Sequence, residues 1–132
     1  MKVYKVLFPA SKKLYSLNRV NNTAGSVRYV IGKWTLPKYE KSKLFAFDSL
    51  KKAMSFSSIW PESVVYEADA KISNERINFS SILYSYYSEE EDFRKFWRNG
   101  MSCLDGREIP NGTVFCNAIK ITKRINYYES IR

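Results

Sequence analysis

No histidine occurs anywhere in the 132 residues. That absence excludes Ser-His-Asp and Cys-His nucleophile pairs, His-liganded zinc and imidazole acid–base chemistry near neutral pH. An enzyme built on this chain would have to work with Glu, Asp, Lys, Tyr or Cys. There are only two cysteines, Cys103 and Cys116, and their spacing matches no paired-cysteine zinc pattern. With no leader of the secretory type at Met1-Lys2-Val3-Tyr4-Lys5, they are expected as reduced thiols in a cytoplasmic setting, at least one of them in a strand. No apolar run approaches the roughly 20 residues that span a bilayer, so no membrane partner is expected. Acids are scarce in one half only. Residues 1–60 hold 12 Lys and Arg against Glu40 and Asp48, a balance of +10, whereas residues 61–132 hold 10 against 11, a balance of −1. The two halves sum to the net +9 of the chain.

What is present suffices for a folded core. Hydrophobic residues make up 45% of the chain and aromatics 16%, far from the composition of disordered segments. The length fits a single domain over residues 1–132.

Along the chain, Val3–Phe8 reads as a strand ended by Pro9, and Leu14–Leu17 as a short second one. Residues 21–26 are a polar turn, Val27–Ile31 a strand stopped by Gly32, and Lys33–Lys43 a basic loop. Leu44–Phe47 is a buried strand. Asp48 or Ser49 caps a helix over Leu50–Phe56, with Leu50, Ala53 and Met54 on one face. Val64–Ala70 is a strand, and Phe79, Ile82, Leu83 and Tyr86 fit helical spacing. Ser88 and Glu91 form a capping box for a helix reaching about Asn99, with Gly100 as its stop. Asp105-Gly106 and Pro110-Asn111-Gly112 are turns. Thr113–Thr122 is apolar at nearly every position and reads as a central strand. The expected class is α+β: one mixed or antiparallel sheet of about five or six strands with two or three packed helices.

Four segments carry a resemblance: Val3-Tyr4-Lys5-Val6, Tyr29-Val30-Ile31-Gly32-Lys33-Trp34, Leu44-Phe45-Ala46-Phe47-Asp48-Ser49 with Ala53, and Pro110-Asn111-Gly112-Thr113-Val114-Phe115-Cys116. Their order resembles a family of small uncharacterised proteins of bacteriophages and bacteria. It implies a phage or prophage source, hence the host cytoplasm or the virion as location. Phe45 through Ala53 and Pro110 through Phe115 are also similar to parts of the ADP-ribosyltransferase scaffold. That similarity implies NAD or nucleotide binding as an alternative, with Lys5, Tyr4 and Glu108 as the residues available to it. The hydroxyl-bearing motif of that superfamily falls on Phe45-Ala46-Phe47, and its late glutamate falls on Gly106.

The residues that point to binding are basic and aromatic. Lys12, Lys13, Arg19, Arg28, Lys33, Lys38, Lys41 and Lys43 form a basic set, and Trp34, Tyr39, Tyr86 and Tyr87 an aromatic one. Cations beside exposed aromatics suit phosphate contact and base stacking; the plainer alternative is a charged surface with the rings turned inward. Lys outnumbers Arg in the set, which favours diffuse electrostatics over bidentate base reading. Tyrosines suit a protein interface. Glu89-Glu90-Glu91-Asp92 sits where a helix dipole favours acids. Glu67 and Asp69 share a strand face, as a carboxylate pair or as solvated residues.

The reading is a small basic non-enzymatic binding protein for a host or phage macromolecule. The expected partner is an acidic protein surface or nucleic acid, with homo-oligomerisation left open. No cofactor, metal or catalytic residue is assigned. Nucleic acid without sequence preference and the NAD-linked reading stand as alternatives.

Overall fold

The computed structural model describes residues 1–16, 26–39, 41–74, 81–83, 91, 94, 97, 106–108 and 110–126. Among them, in chain order, lie β1 (Lys2–Ala10), β2 (Lys13–Tyr15), β3 (Arg28–Tyr29), β4 (Trp34–Thr35) and β5 (Leu44–Phe47). Helix α1 (Leu50–Ser57) follows, then β6 (Val64–Ile72), β7 (Ser81–Leu83), β8 (Gly106–Glu108) and β9 (Thr113–Arg124).

The architecture is mostly β, which corrects the α+β expectation. β1 pairs with β5, β5 with β9, β9 with β6, and β6 with β1, every pair antiparallel. These four strands close into a small barrel. The physical reason lies in β1, β6 and β9, which run for 9, 9 and 12 residues. Strands this long and apolar would leave exposed edges in an open sheet, and closure removes them. Register shifts at Glu67/Ala68 and Lys71/Ile72 in the β6–β9 ladder supply the extra bend that so tight a ring needs. β2 and β3 extend the sheet beyond β1, and β4 extends it beyond β9. β7 and β8 form a separate two-stranded ribbon.

Among the described residues the two or three packed helices are not found. α1 is the one helix whose residues are all described. It starts at the expected cap: the Ser49 side chain accepts from the Lys52 amide at 3.3 Å. Leu50, Ala53 and Met54 pack with Val6, Phe47 and Val65 on the outside of the barrel. The helical spacing around Phe79–Tyr86 is overruled at Ser81–Leu83, which pair with Gly106–Glu108; the turn expected at Asp105-Gly106 gives way to β8 at Gly106 for the same reason. Glu91, Arg94 and Trp97 are helical, as the capping box implies; the rest of that segment lies outside the described residues. Pro9 does not end β1, since it pairs with Leu14 at the mouth of the hairpin. No helix among the described residues is long and apolar enough to cross a membrane.

Alternation sorts β1 into two faces. Val6 and the flanking Tyr4 meet the α1 cluster. Val3 and Leu7 point into the barrel with Leu44, Ala46, Ala68, Ala70, Cys116, Ile119 and Ile121. Lys5 lies between Val3 and Leu7 and therefore points inward too.

Candidate functional site

Among the described residues, polar chemistry in an unusual setting is concentrated in the barrel interior at Lys5 and on the outer face at Trp34.

Lys5 is only 6% exposed. Its Nζ donates to the Phe45 carbonyl and lies 5.3 Å from the centroid of the Tyr29 ring. The β1–β5 seam of the barrel holds a single register pair, Tyr4 with Phe47. The amine thus adds a bond from β1 to β5 where the ladder is shortest. Burial pushes the Lys5 amine down to about 8, partly offset by Cys116. Burial likewise pushes the Cys116 thiol up to about 11 and raises the Tyr29 phenol far above its ordinary value. The Tyr29 hydroxyl is buried with no hydrogen-bond partner among the described residues. This cluster is shut off from solvent, which suits structure better than turnover. The other residues of the NAD-linked reading do not join it in the core: Tyr4 is half-buried beside α1 and Glu108 belongs to the β7–β8 ribbon.

The outer face is built from β4, β9 and β6. Trp34 pairs with Lys120, and Lys120 with Asp69, so all three side chains share one face. Lys71, two residues beyond Asp69, joins them. Ala118 stands opposite Lys71 in the register and is small and buried, which leaves room for the indole over β9. Trp34 is 44% exposed. The Nζ atoms of Lys71 and Lys120 stand 4.9 and 5.2 Å from its ring centroid. Lys33, exposed, precedes it in a turn anchored by the Gly32 amide, which donates to the Ile121 carbonyl at 2.9 Å. Val30, Ile31 and Leu36 are exposed apolar neighbours in the chain. Asp69 stands opposite Lys120 in the strand register, whereas Glu67 is held by Lys2 at 2.7 Å. Glu67 is therefore an ion-paired strand residue rather than half of a carboxylate pair.

The expected basic set does not gather as one strip along the chain. Lys12 and Lys13 lie at the β1–β2 turn, where Lys12 holds a φ of 65°. Arg28 is exposed on β3, and Lys38 and Lys41 are exposed before β5. Lys43 departs from the expectation of a surface residue: it is 8% exposed and its Nζ donates to Asn117 Oδ1 at 2.8 Å. Tyr39 is also buried, with Lys38 and Arg94 over its ring at 5.6 and 5.2 Å; it packs rather than presents. Arg19, Tyr86, Tyr87, Cys103 and three of the four acids at 89–92 lie outside the described residues. Of the expected residues, Trp34 falls on the face described, with Lys33 exposed next to it in the chain. Lys71 and Lys120 escape a reading by charge because they lie in the electrically balanced half of the sequence. Their signal is local: each interrupts a buried strand pattern at an outward position.

No family model, curated protein or solved structure matches the chain.

Proposed function

We propose that this chain is a small basic binding protein that holds a polyanionic macromolecule on the β4–β9–β6 face. The observation that carries the reading is Trp34, an exposed indole with the ammonium groups of Lys71 and Lys120 about its ring and Lys33 next to it in the chain. Trp34 stays 44% exposed, and on its face the ammonium groups of Lys71 and Lys120 outnumber the carboxylate of Asp69, while Glu67 is neutralised by Lys2. The net +9 draws any polyanion toward the molecule. The face then decides where it stays.

The test separates the face from the overall charge. Lys33, Lys71 and Lys120 are changed together to Glu, and in a second variant Lys12 at the β1–β2 turn, Lys41 before β5 and Lys51, exposed on α1, are changed to Glu. Both variants shift the net charge equally. Retention on immobilised heparin, a generic polyanion, is compared with the original chain. The first variant should elute at clearly lower salt than the second. Equal elution of the two would assign retention to net charge and remove the face from the reading.

A further inference from the structure

The binding face has a chemistry that selects among polyanions. We infer that its partner is a single-stranded nucleic acid, bound without sequence preference, with one base stacked on Trp34 and neighbouring phosphates held by Lys71 and Lys120. This inference rests on the binding reading above and adds the partner's class.

Competing magnitudes decide whether a base takes the ring. Each ammonium near the indole gains about 0.5–1 kcal/mol at an exposed site. A base stacked on an aromatic side chain gains about 1–3 kcal/mol. The two ammoniums together amount to about 1–2 kcal/mol, so stacking offsets what it displaces and the phosphate contacts of the released lysines supply the surplus. The displaced ammonium is not wasted, because a phosphate of the same strand is within reach of a long lysine side chain. Lys71 and Lys120 thus cover the ring in the unbound protein and become phosphate ligands in the complex.

Further features narrow the partner. A duplex keeps its bases stacked on each other, so a single projecting indole has no base face to meet. An acidic protein would satisfy the lysines but brings a planar group to the ring only where its sequence places one, whereas every nucleotide carries a base face. Lysine rather than arginine stands at both flanks, which gives point contacts to phosphate and no bidentate reading of base edges. The exposed apolar residues Val30, Ile31 and Leu36 lie on the same stretch of chain and offer surface to a sugar or a second base. Among the described residues β4 pairs with β9 alone, so an extended oligonucleotide can approach along it.

The test is fluorescence anisotropy with a labelled oligothymidylate of about 12 nucleotides, within the usual span of single-strand sites. A duplex of equal length, inorganic polyphosphate and polyglutamate serve as competitors. The single strand should bind more tightly than the duplex and resist both competitors. Trp34→Ala should weaken single-strand binding by about 5- to 160-fold, the equivalent of the stacking energy, with little change for polyphosphate. Trp34→Phe, which keeps a ring, should recover part of the loss; this also guards against a misfolded alanine variant. Lys71→Gln with Lys120→Gln should lower the slope of log K against log salt by about 1.4, roughly 0.7 for each phosphate no longer neutralised. Equal binding of single strand, duplex and polyphosphate, unchanged by Trp34→Ala, would overturn the inference while leaving a basic binding protein. Displacement by polyglutamate as effective as by oligothymidylate would also overturn it, in favour of an acidic protein. No binding to any polyanion at low salt would overturn both readings.

Discussion

Replacing Lys5 by Met should abolish a rise in stability between pH 8 and pH 9. The amine titrates at 10.5 when unfolded and at about 8 when buried in the barrel, a difference of about 3 kcal/mol between its charge states. Below pH 8 both states hold the proton, so the folded protein bears the full cost of a buried charge. Between pH 8 and 10.5 the folded state releases its proton while the unfolded state keeps it. The unfolded state then binds more protons, and stability rises with pH. From pH 8 to 9 the gain is about 1 kcal/mol. Cys116 acts in the opposite sense. Its thiol, ordinarily near 9.0, is pushed up to about 11, so the unfolded state loses that proton first and stability falls through the same range, by roughly a few tenths of a kcal/mol from pH 8 to 9. Tyr29 stays protonated throughout. Lys2, raised by its bond to Glu67, stabilises fully below 10.5 and loses that contribution only above it. The net expectation for the original chain is a rise. Lys5→Met should instead fall slightly. At pH 7 the variant's stability should change little, because relief of the buried charge is offset by loss of the bond to Phe45, about 1.5–3 kcal/mol for a charged donor. Urea unfolding at pH 7, 8 and 9, followed by circular dichroism, measures this. A flat or falling curve for the original chain, or the same rise in the variant, would refute the reasoning.

Other expectations follow from the same core. Tyr29→Phe removes a buried hydroxyl without a partner among the described residues and should raise the urea midpoint by the equivalent of about 1 kcal/mol; a loss of that size would show that the hydroxyl is bonded. Gly112 holds a φ of 84°, and a Cβ there would run into the Lys52 side chain and press on Asp48 Oδ1 at 3.1 Å. Gly112→Ala should therefore lower thermal stability by at least about 1 kcal/mol, and an unchanged melting temperature would contradict the turn. In a Cys103→Ser background, Cys116 should resist iodoacetamide until the chain is unfolded, because it is both buried and held as a thiol. Rapid labelling under native conditions would place it at the surface.

Local signals serve the fold well where side chains alternate or cap. The apolar run at Leu44–Phe47, the serine at 49 with Ala53 four residues on, and the long run from Thr113 each appear as the elements they suggest. Closure is a different matter. That β6 pairs with both β1 and β9 depends on residues far apart in the chain, and no local pattern encodes it. The same holds for Lys5. Its place between Val3 and Leu7 is visible as alternation, but a lysine in a strand ordinarily marks the solvent face. Only the ring of strands makes its face the interior. Trp34 and Lys33 are legible as an aromatic beside a cation. Lys71 and Lys120 are not, since a cross-strand cluster joins residues 34, 71 and 120 only after β4, β6 and β9 are in register. Lys43 and Tyr39 mislead for the converse reason: type alone suggests surface, and the packing beside β5 covers both.

The binding face is tested most directly by backbone and indole chemical-shift mapping of the labelled protein with oligothymidylate. The largest shifts should centre on the Trp34 indole N–H and the amides of Lys33, Lys71 and Lys120, with the β1–β2 turn at Lys12 and Lys13 unaffected. Shifts concentrated at Lys12, Lys13 or Lys51, with the Trp34 indole unmoved, would place the interaction elsewhere and contradict the assignment of this face.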